Sequence, residues 1–161
     1  MEIQLKERTQ ETVAIYFEKA QNPKIKKSLP QKAQSLEEAV NDYKKTLLPG
    51  ATSYGKTIWV DEIYVGDIWC YCIDLEEEPN AMLSYCIFEE SFWNKGIATS
   101  AVEIFLQEIL IKYQLTSIGA FTYASNIPSI RVLEKNQFLT REEFIEDGLA
   151  SVYLQYDKQW I

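Results

Sequence analysis

The run Ser91-Phe92-Trp93-Asn94-Lys95-Gly96-Ile97-Ala98-Thr99 joins a strand-like segment to the start of the most periodic helical stretch in the chain. At such a helix start the leading N–H groups lack intrahelical acceptors, and the macrodipole concentrates partial positive charge. Gly96 lets the backbone turn tightly and approach a ligand, Ala98 keeps the first turn small, and Lys95 adds a cation. The combination predicts a cradle for a pyrophosphate. A lone glycine also serves many strand-to-helix loops for purely structural reasons. Elsewhere the residue inventory is restrictive, because the chain has no histidine. That excludes Ser-His-Asp and Cys-His catalysis and histidine-ligated zinc, and no metal site is expected. It also removes the side chain most often used as a general base near neutral pH. Cys70, Cys72 and Cys86 form no recognised metal or disulfide pattern. Cys70 and Cys72, two apart in a strand, are expected to share a face, and all three thiols are read as buried and apolar.

The elements that must position the loop are legible on both sides of it. Ala98, Ala101, Val102, Phe105, Leu106, Ile109 and Leu110 recur at helical spacing, which predicts a helix over 96–113 packed on a sheet. Before the loop, 81–88 reads as a strand, and 117–123 as the strand after the helix. If those two strands are parallel, they and the helix form a crossover unit. Asn126-Ile127-Pro128 opens a short helix, with Asn as N-cap and Pro in the first turn. Two strands over 138–145 and 149–156 make a final hairpin around Glu146-Asp147-Gly148. Upstream, Ile3 and Leu5 mark a first strand, and a helix from Thr9 ends before Asn22-Pro23. Ser35-Leu36-Glu37-Glu38 has the form of a capping box for a helix running to about Leu47. Strands over 58–65 and 68–75 are expected to flank a type II′ turn at Gly66-Asp67. The run Glu76-Glu77-Glu78 reads as solvated turn surface. The predicted class is α/β of the α+β kind, with a mixed and mostly antiparallel central sheet.

With 161 residues the chain fits one domain, 1–161, and can bury roughly 70% of its unfolded surface. Twenty-four acidic against 16 basic residues give a net charge of -8. That argues against a nucleic-acid partner, whose phosphates need clustered Lys and Arg, and suits a cationic partner. No apolar signal region or membrane-length stretch is visible, so a cytoplasmic protein with no membrane partner is expected.

The segment Trp93-Asn94-Lys95-Gly96-Ile97-Ala98-Thr99-Ser100-Ala101 resembles the coenzyme A loop of GNAT superfamily N-acetyltransferases. It is most similar to the RimJ/RimL-like branch, where Trp commonly opens the motif. Downstream, Asn126-Ile127-Pro128-Ser129-Ile130-Arg131-Val132-Leu133-Glu134-Lys135-Asn136-Gln137-Phe138 resembles that branch's N-x-x-S-x-x-V-L-E-K-x-G-F segment. Leu83-Ser84-Tyr85 sits where the branch usually has an apolar–Gly–Tyr strand. Asn22-Pro23 followed by Leu29-Pro30 is similar to its N-terminal region. The likeness is firm over 81–140, weaker over 1–80, and carries no motif beyond about 145.

The resemblance implies a sheet splayed between its fourth and fifth strands around acyl-CoA, with helices on both faces. It implies that the backbone of Ile87 and Phe88 meets the pantetheine. Asn94, Lys95, Gly96, Ile97, Ala98 and Thr99 would hold the pyrophosphate, and Asn126 would contact the cofactor. The implied activity is acetyl-CoA-dependent transfer of an acetyl group to a primary amine by direct attack in a ternary complex. Ser129 is the candidate proton donor or orienter near the thioester sulfur. Tyr85 is the one aromatic assigned to the site, among Tyr64, Trp69, Tyr71 and Tyr123 as further possible lining. The acceptor would be a small-molecule amine or a protein N-terminal amine, and the protein a monomer or homodimer. Two positions depart from the pattern: Leu133 replaces a helical tyrosine, and Met82 stands where many relatives place a glutamate base. Glu62, Glu89 and Glu90 are the carboxylates that could act through water. Gln137 replaces a glycine before Phe138. The lost glutamate and tyrosine also fit a non-catalytic acyl-CoA sensor, and an unrelated α/β interaction protein is the third reading.

Overall fold

In a computed structural model that describes residues 1–158, seven strands form one sheet in the order β1-β2-β3-β4-β5-β7-β6. These are β1 (Ile3–Glu7), β2 (Tyr54–Val60), β3 (Ile63–Asp74), β4 (Asn80–Ile87), β5 (Ser117–Tyr123), β6 (Leu139–Glu146) and β7 (Leu149–Asp157). Every neighbouring pair is antiparallel except β4 and β5, which run parallel on either side of helix α4 (Ile97–Tyr113). Helices α1 (Gln10–Lys19), α2 (Pro23–Ser28) and α3 (Leu36–Lys45) precede β2, and α5 (Ile127–Lys135) follows β5. This is the expected mixed, mostly antiparallel α/β architecture.

The helix caps follow the sequence. Thr9 caps α1 and Asn126 caps α5; Ser35 Oγ accepts from the Glu38 amide at 3.1 Å. The Glu38 carboxylate does not close the box on Ser35, because it accepts from the Gln34 amide instead. Asn22-Pro23 does more than end α1. Asn22 accepts from the Lys24 amide and Pro23 occupies the first turn of α2, a helix the sequence reading did not contain. On α4 the buried face is Ile97, Ala101, Val102, Phe105, Leu106 and Ile109. It packs on Ile58, Val65, Ile68, Leu83 and Ile118 of the sheet to form the main core.

Two expectations fail in the β2–β3–β4 meander. The hairpin turn is Asp61-Glu62, both with positive φ (46° and 70°), and Val60 pairs with Ile63. Gly66-Asp67 lies inside β3. Its glycine is needed for closeness: a Cβ on Gly66 would sit 2.1 Å from the Cys86 carbonyl oxygen of β4. The shared-face expectation for Cys70 and Cys72 fails at an irregularity in register between Tyr71 and Asp74, where Cys72 takes φ 50°. Cys70 is buried and Cys72 exposed, because a bulge resets the two-residue alternation.

The site depends on an opening. Only Asn80, Ala81 and Met82 of β4 pair with β5, opposite Ser117, Ile118 and Gly119. From Leu83 to Ile87 the β4 edge has no strand partner on that side, although it stays paired with β3 on the other.

Candidate active site

At the end of β4 the Phe88 amide donates to Val65 O at 2.9 Å, so it faces β3. Alternation along the ladder turns the N–H and C=O of Ile87 toward the opening. Phe88 itself is buried with Cys86, Ala20 and Ile25 beneath α1 and α2. The Ile87 carbonyl accepts the indole N–H of Trp93 at 2.7 Å. That bond ties the loop to the strand edge, a role for Trp93 that the sequence reading did not contain.

After Trp93 the chain passes Asn94 (φ 61°), exposed Lys95 and Gly96 (φ 78°) into α4. The two left-handed residues make the turn that aims the helix start at the loop's concave side. Side chains cap α1, α2, α3 and α5, whereas Gly96 at the N-cap of α4 offers none. The first-turn amides of Ile97, Ala98 and Thr99 are therefore left for an outside acceptor. The Ile97 side chain is anchored in the core, which fixes that turn in place. Asn136 braces it from behind, donating to Thr99 O at 3.2 Å and Val132 O at 3.0 Å. Next to it Gln137 takes φ 65°, the conformation that explains a glycine at this place in related segments.

Across the opening, Tyr85 of β4 meets Ser129 of α5. The Tyr85 hydroxyl lies 2.9 Å from Ser129 Oγ and donates to the Ser129 carbonyl at 3.3 Å. Ser129 is held by its own amide, which donates to Asn126 Oδ1 at 3.3 Å. Burial pushes the Tyr85 phenol up to about 12, with the Ser129 hydrogen bond opposing, so the phenol keeps its proton at neutral pH. A protonated phenol beside a hydroxyl can supply a proton and orient a lone pair; it cannot act as a base.

Glu62 pairs with Lys6 at the β2–β3 turn, Glu89 with Lys19, and Glu90 with Lys24. Met82 closes the last β4–β5 pair, and its sulfur lies against Gly119. Tyr64 and Trp69 pack beneath α1, Tyr64 edge-on to Phe88 at 4.9 Å and Trp69 edge-on to Tyr16 at 6.0 Å. The buried carboxylate of Asp67 bonds the Tyr64 hydroxyl and lies 3.4 Å from Arg8 Nε. No local spacing signals this pair, because Gly66-Asp67 reads locally as a turn and only the fold places Asp67 inside β3.

With this geometry in place, the chain matches the model of the acetyltransferase (GNAT) domain over residues 3–139. It is 30% identical over 116 residues to human alpha/beta-tubulin-N-acetyltransferase 9, covering 70% of this chain and 53% of that one. The chain thus spans about half the length of that curated relative. Among solved structures, a spermidine N-acetyltransferase from Vibrio cholerae, in complex with CoA and spermine, superposes with a TM-score of 0.85 at 13% identity, covering 96% and 95% of the two chains. A RimL ribosomal alpha-N-protein acetyltransferase in complex with coenzyme A gives 0.82 at 17%, covering 96% and 93%. An aminoglycoside acetyltransferase in complex with coenzyme A gives 0.80 at 18%, covering 98% and 95%.

Proposed function

The chain belongs to the GNAT acetyltransferase domain family, and on that premise we propose that it transfers an acetyl group from acetyl-CoA to a primary amine. The observation that carries the reading is the Tyr85–Ser129 contact across the opening, beside the one α-helix among the described residues that no side chain caps. The residues fit acetyl-CoA as substrate. The amides of Ile97, Ala98 and Thr99, with Lys95 and the turn at Asn94 and Gly96, suit the pyrophosphate. The Ile87 amide on the β4 edge and Asn126 at the N-cap of α5 line the path toward Tyr85; the expected backbone role of Phe88 fails, because its amide donates to Val65 O of β3 and its ring is buried beneath α1 and α2.

In the transfer, the amine nitrogen bonds to the thioester carbonyl carbon, the C–S bond breaks, and the amine gives up a proton while the thiolate gains one. Tyr85 and Ser129 serve the second proton: the phenol, held neutral by burial, donates to the departing sulfur directly or through the Ser129 hydroxyl. Of the carboxylates considered from the sequence, Glu62, Glu89 and Glu90 are each paired with a lysine, and we assign the first proton to none of them. The amine therefore enters neutral or loses its proton to water. The names of the RimL, spermidine, aminoglycoside and tubulin acetyltransferases support a small-molecule amine or a protein amine as the acceptor.

Met82 and Leu133, in place of the expected glutamate and tyrosine, also favour a second reading, an acyl-CoA sensor without turnover. Thermal denaturation with coenzyme A, then thiol release from acetyl-CoA with spermidine and with peptides as acceptors, separates the two. At one hundred times its Kd, coenzyme A should stabilise the fold by about 2.7 kcal/mol, a Tm rise of several degrees. Stabilisation with thiol release supports the transferase. Stabilisation with none supports the sensor, and no stabilisation removes both.

A further inference from the structure

We propose that the face of β5, β7 and β6 beyond the opening docks a basic polypeptide segment, so that the acceptor amine belongs to a protein. The inference rests on the transferase reading for its direction of approach. Helices α4 and α5 cover one face of the sheet with the main core, so an acceptor must come from the other. On that other face α1 covers β3 and β4, through Tyr16 against Trp69 and Phe88. Register carries the same face across the opening: Trp69 lies opposite Ser84, Met82 opposite Gly119, and Phe121 opposite Tyr153.

There the surface is aromatic and open. The rings of Phe121 and Phe144 lie 5.7 Å apart, and those of Phe121 and Tyr153 5.1 Å apart. Yet Phe121 is 54% exposed, and nearby Leu149 51%. Glu142 and Glu146 flank Phe144 along β6 on this face, and both are exposed. Neither carries an ion pair among the described residues, whereas Arg141, the only cation of 139–157, is already neutralised by Asp157 at 2.9 Å.

Aromatic faces rimmed by unpaired carboxylates suit Lys and Arg side chains, through cation–π and charge attraction together. A third feature selects a polypeptide over a free polyamine. β6 is the last strand of the sheet among the described residues, and its outer edge offers a row of main-chain N–H and C=O groups that an extended backbone can pair with and a polyamine, which has no carbonyl, cannot match. A second copy is disfavoured, because β6 against β6 would oppose Glu142, Glu143 and Glu146 to one another.

The test measures fluorescence anisotropy of two labelled peptides, identical at their N-terminal residues and carrying either Lys/Arg or Ser further along, against the full chain saturated with coenzyme A. The basic peptide should bind about tenfold more tightly, and added salt should weaken it. E142Q/E146Q should weaken it roughly fivefold while the coenzyme A-induced Tm rise is unchanged, showing an intact fold. Equal binding of the two peptides, or an E142Q/E146Q variant that binds like the parent, would overturn the proposal. So would complete displacement of the peptide by millimolar spermidine, or a dimer that F144A separates. Peptide binding without thiol release upholds the docking face and counts against the transferase. Thiol release from amines with no preference for the basic peptide does the reverse.

Discussion

Tyr85 and Ser129 belong to different elements, and each has a reason to be where it is. Tyr85 lies on the unpaired stretch of β4, and Ser129 sits in the first turn of α5 on an Asn126 cap. Because the two hydroxyls share one hydrogen bond at 2.9 Å, they should act as a unit in proton delivery. Y85F and S129A should each lower kcat about 100-fold, with coenzyme A affinity within about twofold of the parent. The double variant should be little worse than the poorer single one. Steady-state kinetics with calorimetric coenzyme A titration checks this. A fall in affinity equal to the fall in kcat would move the pair from proton transfer to simple binding.

For the elements, the decisive feature is how closely backbones approach. β3 and β4 come together at Gly66 with no room for a Cβ, since the obstacle 2.1 Å away is main-chain oxygen. At Gly119, between β4 and β7, a Cβ would meet the Tyr153 hydroxyl at 2.5 Å, its ring carbon Cε2 at 2.6 Å and the Met82 sulfur at 2.9 Å, all side-chain rather than main-chain atoms. G66A should therefore cost more than about 3 kcal/mol, and G119A about 1 kcal/mol. Urea midpoints at constant m-value distinguish them, and equal losses would contradict the difference drawn between rigid and yielding neighbours. The same scale explains the misplaced turn. Gly-Asp is a strong hairpin signal locally, but the glycine was required by β4, and Asp61-Glu62 took the positive-φ positions instead.

Across the whole molecule, the connection between β1 and α1 is tied to β3 through a buried ion pair. Arg8 follows β1, and Asp67, 2% exposed, sits in β3 with the Tyr64 hydroxyl on it, while Tyr64 also reaches Thr12 O of α1 at 3.4 Å. Burial pushes the Asp67 carboxyl up to about 6, against the pull of Arg8 and Tyr64. The folded protein thus holds this proton more tightly than the unfolded one, whose carboxyl titrates near 4. The stability this group contributes is full below about pH 4 and is lost as pH rises through about 6. D67N lacks that titration, so its stability relative to the parent should rise between pH 4 and 7, by up to about 3 kcal/mol. Denaturant unfolding of both proteins across that range tests it; a constant difference would show that Asp67 does not titrate there.

What the sequence determined by itself is what short stretches of chain decide. The caps at Thr9, Ser35 and Asn126 hold amides within their own helices, and the spacing from Ala101 to Ile109 selects a buried face. The loop from Trp93 to Thr99 brings together a glycine, a small residue and a helix start, the local ingredients of the anion cradle we propose. Tertiary structure decided whatever depends on two distant segments meeting. It set the bulge that separated Cys70 from Cys72, the close approach that claimed Gly66, the Arg8–Asp67 pair, and the indole of Trp93 on the Ile87 carbonyl. It also decided that β4 and β5 part after Met82, bringing Tyr85 to Ser129 and leaving the acidic aromatic face of β5, β7 and β6 open. Those outcomes follow from backbone separations and burial, which no residue carries alone and which only the assembled sheet fixes.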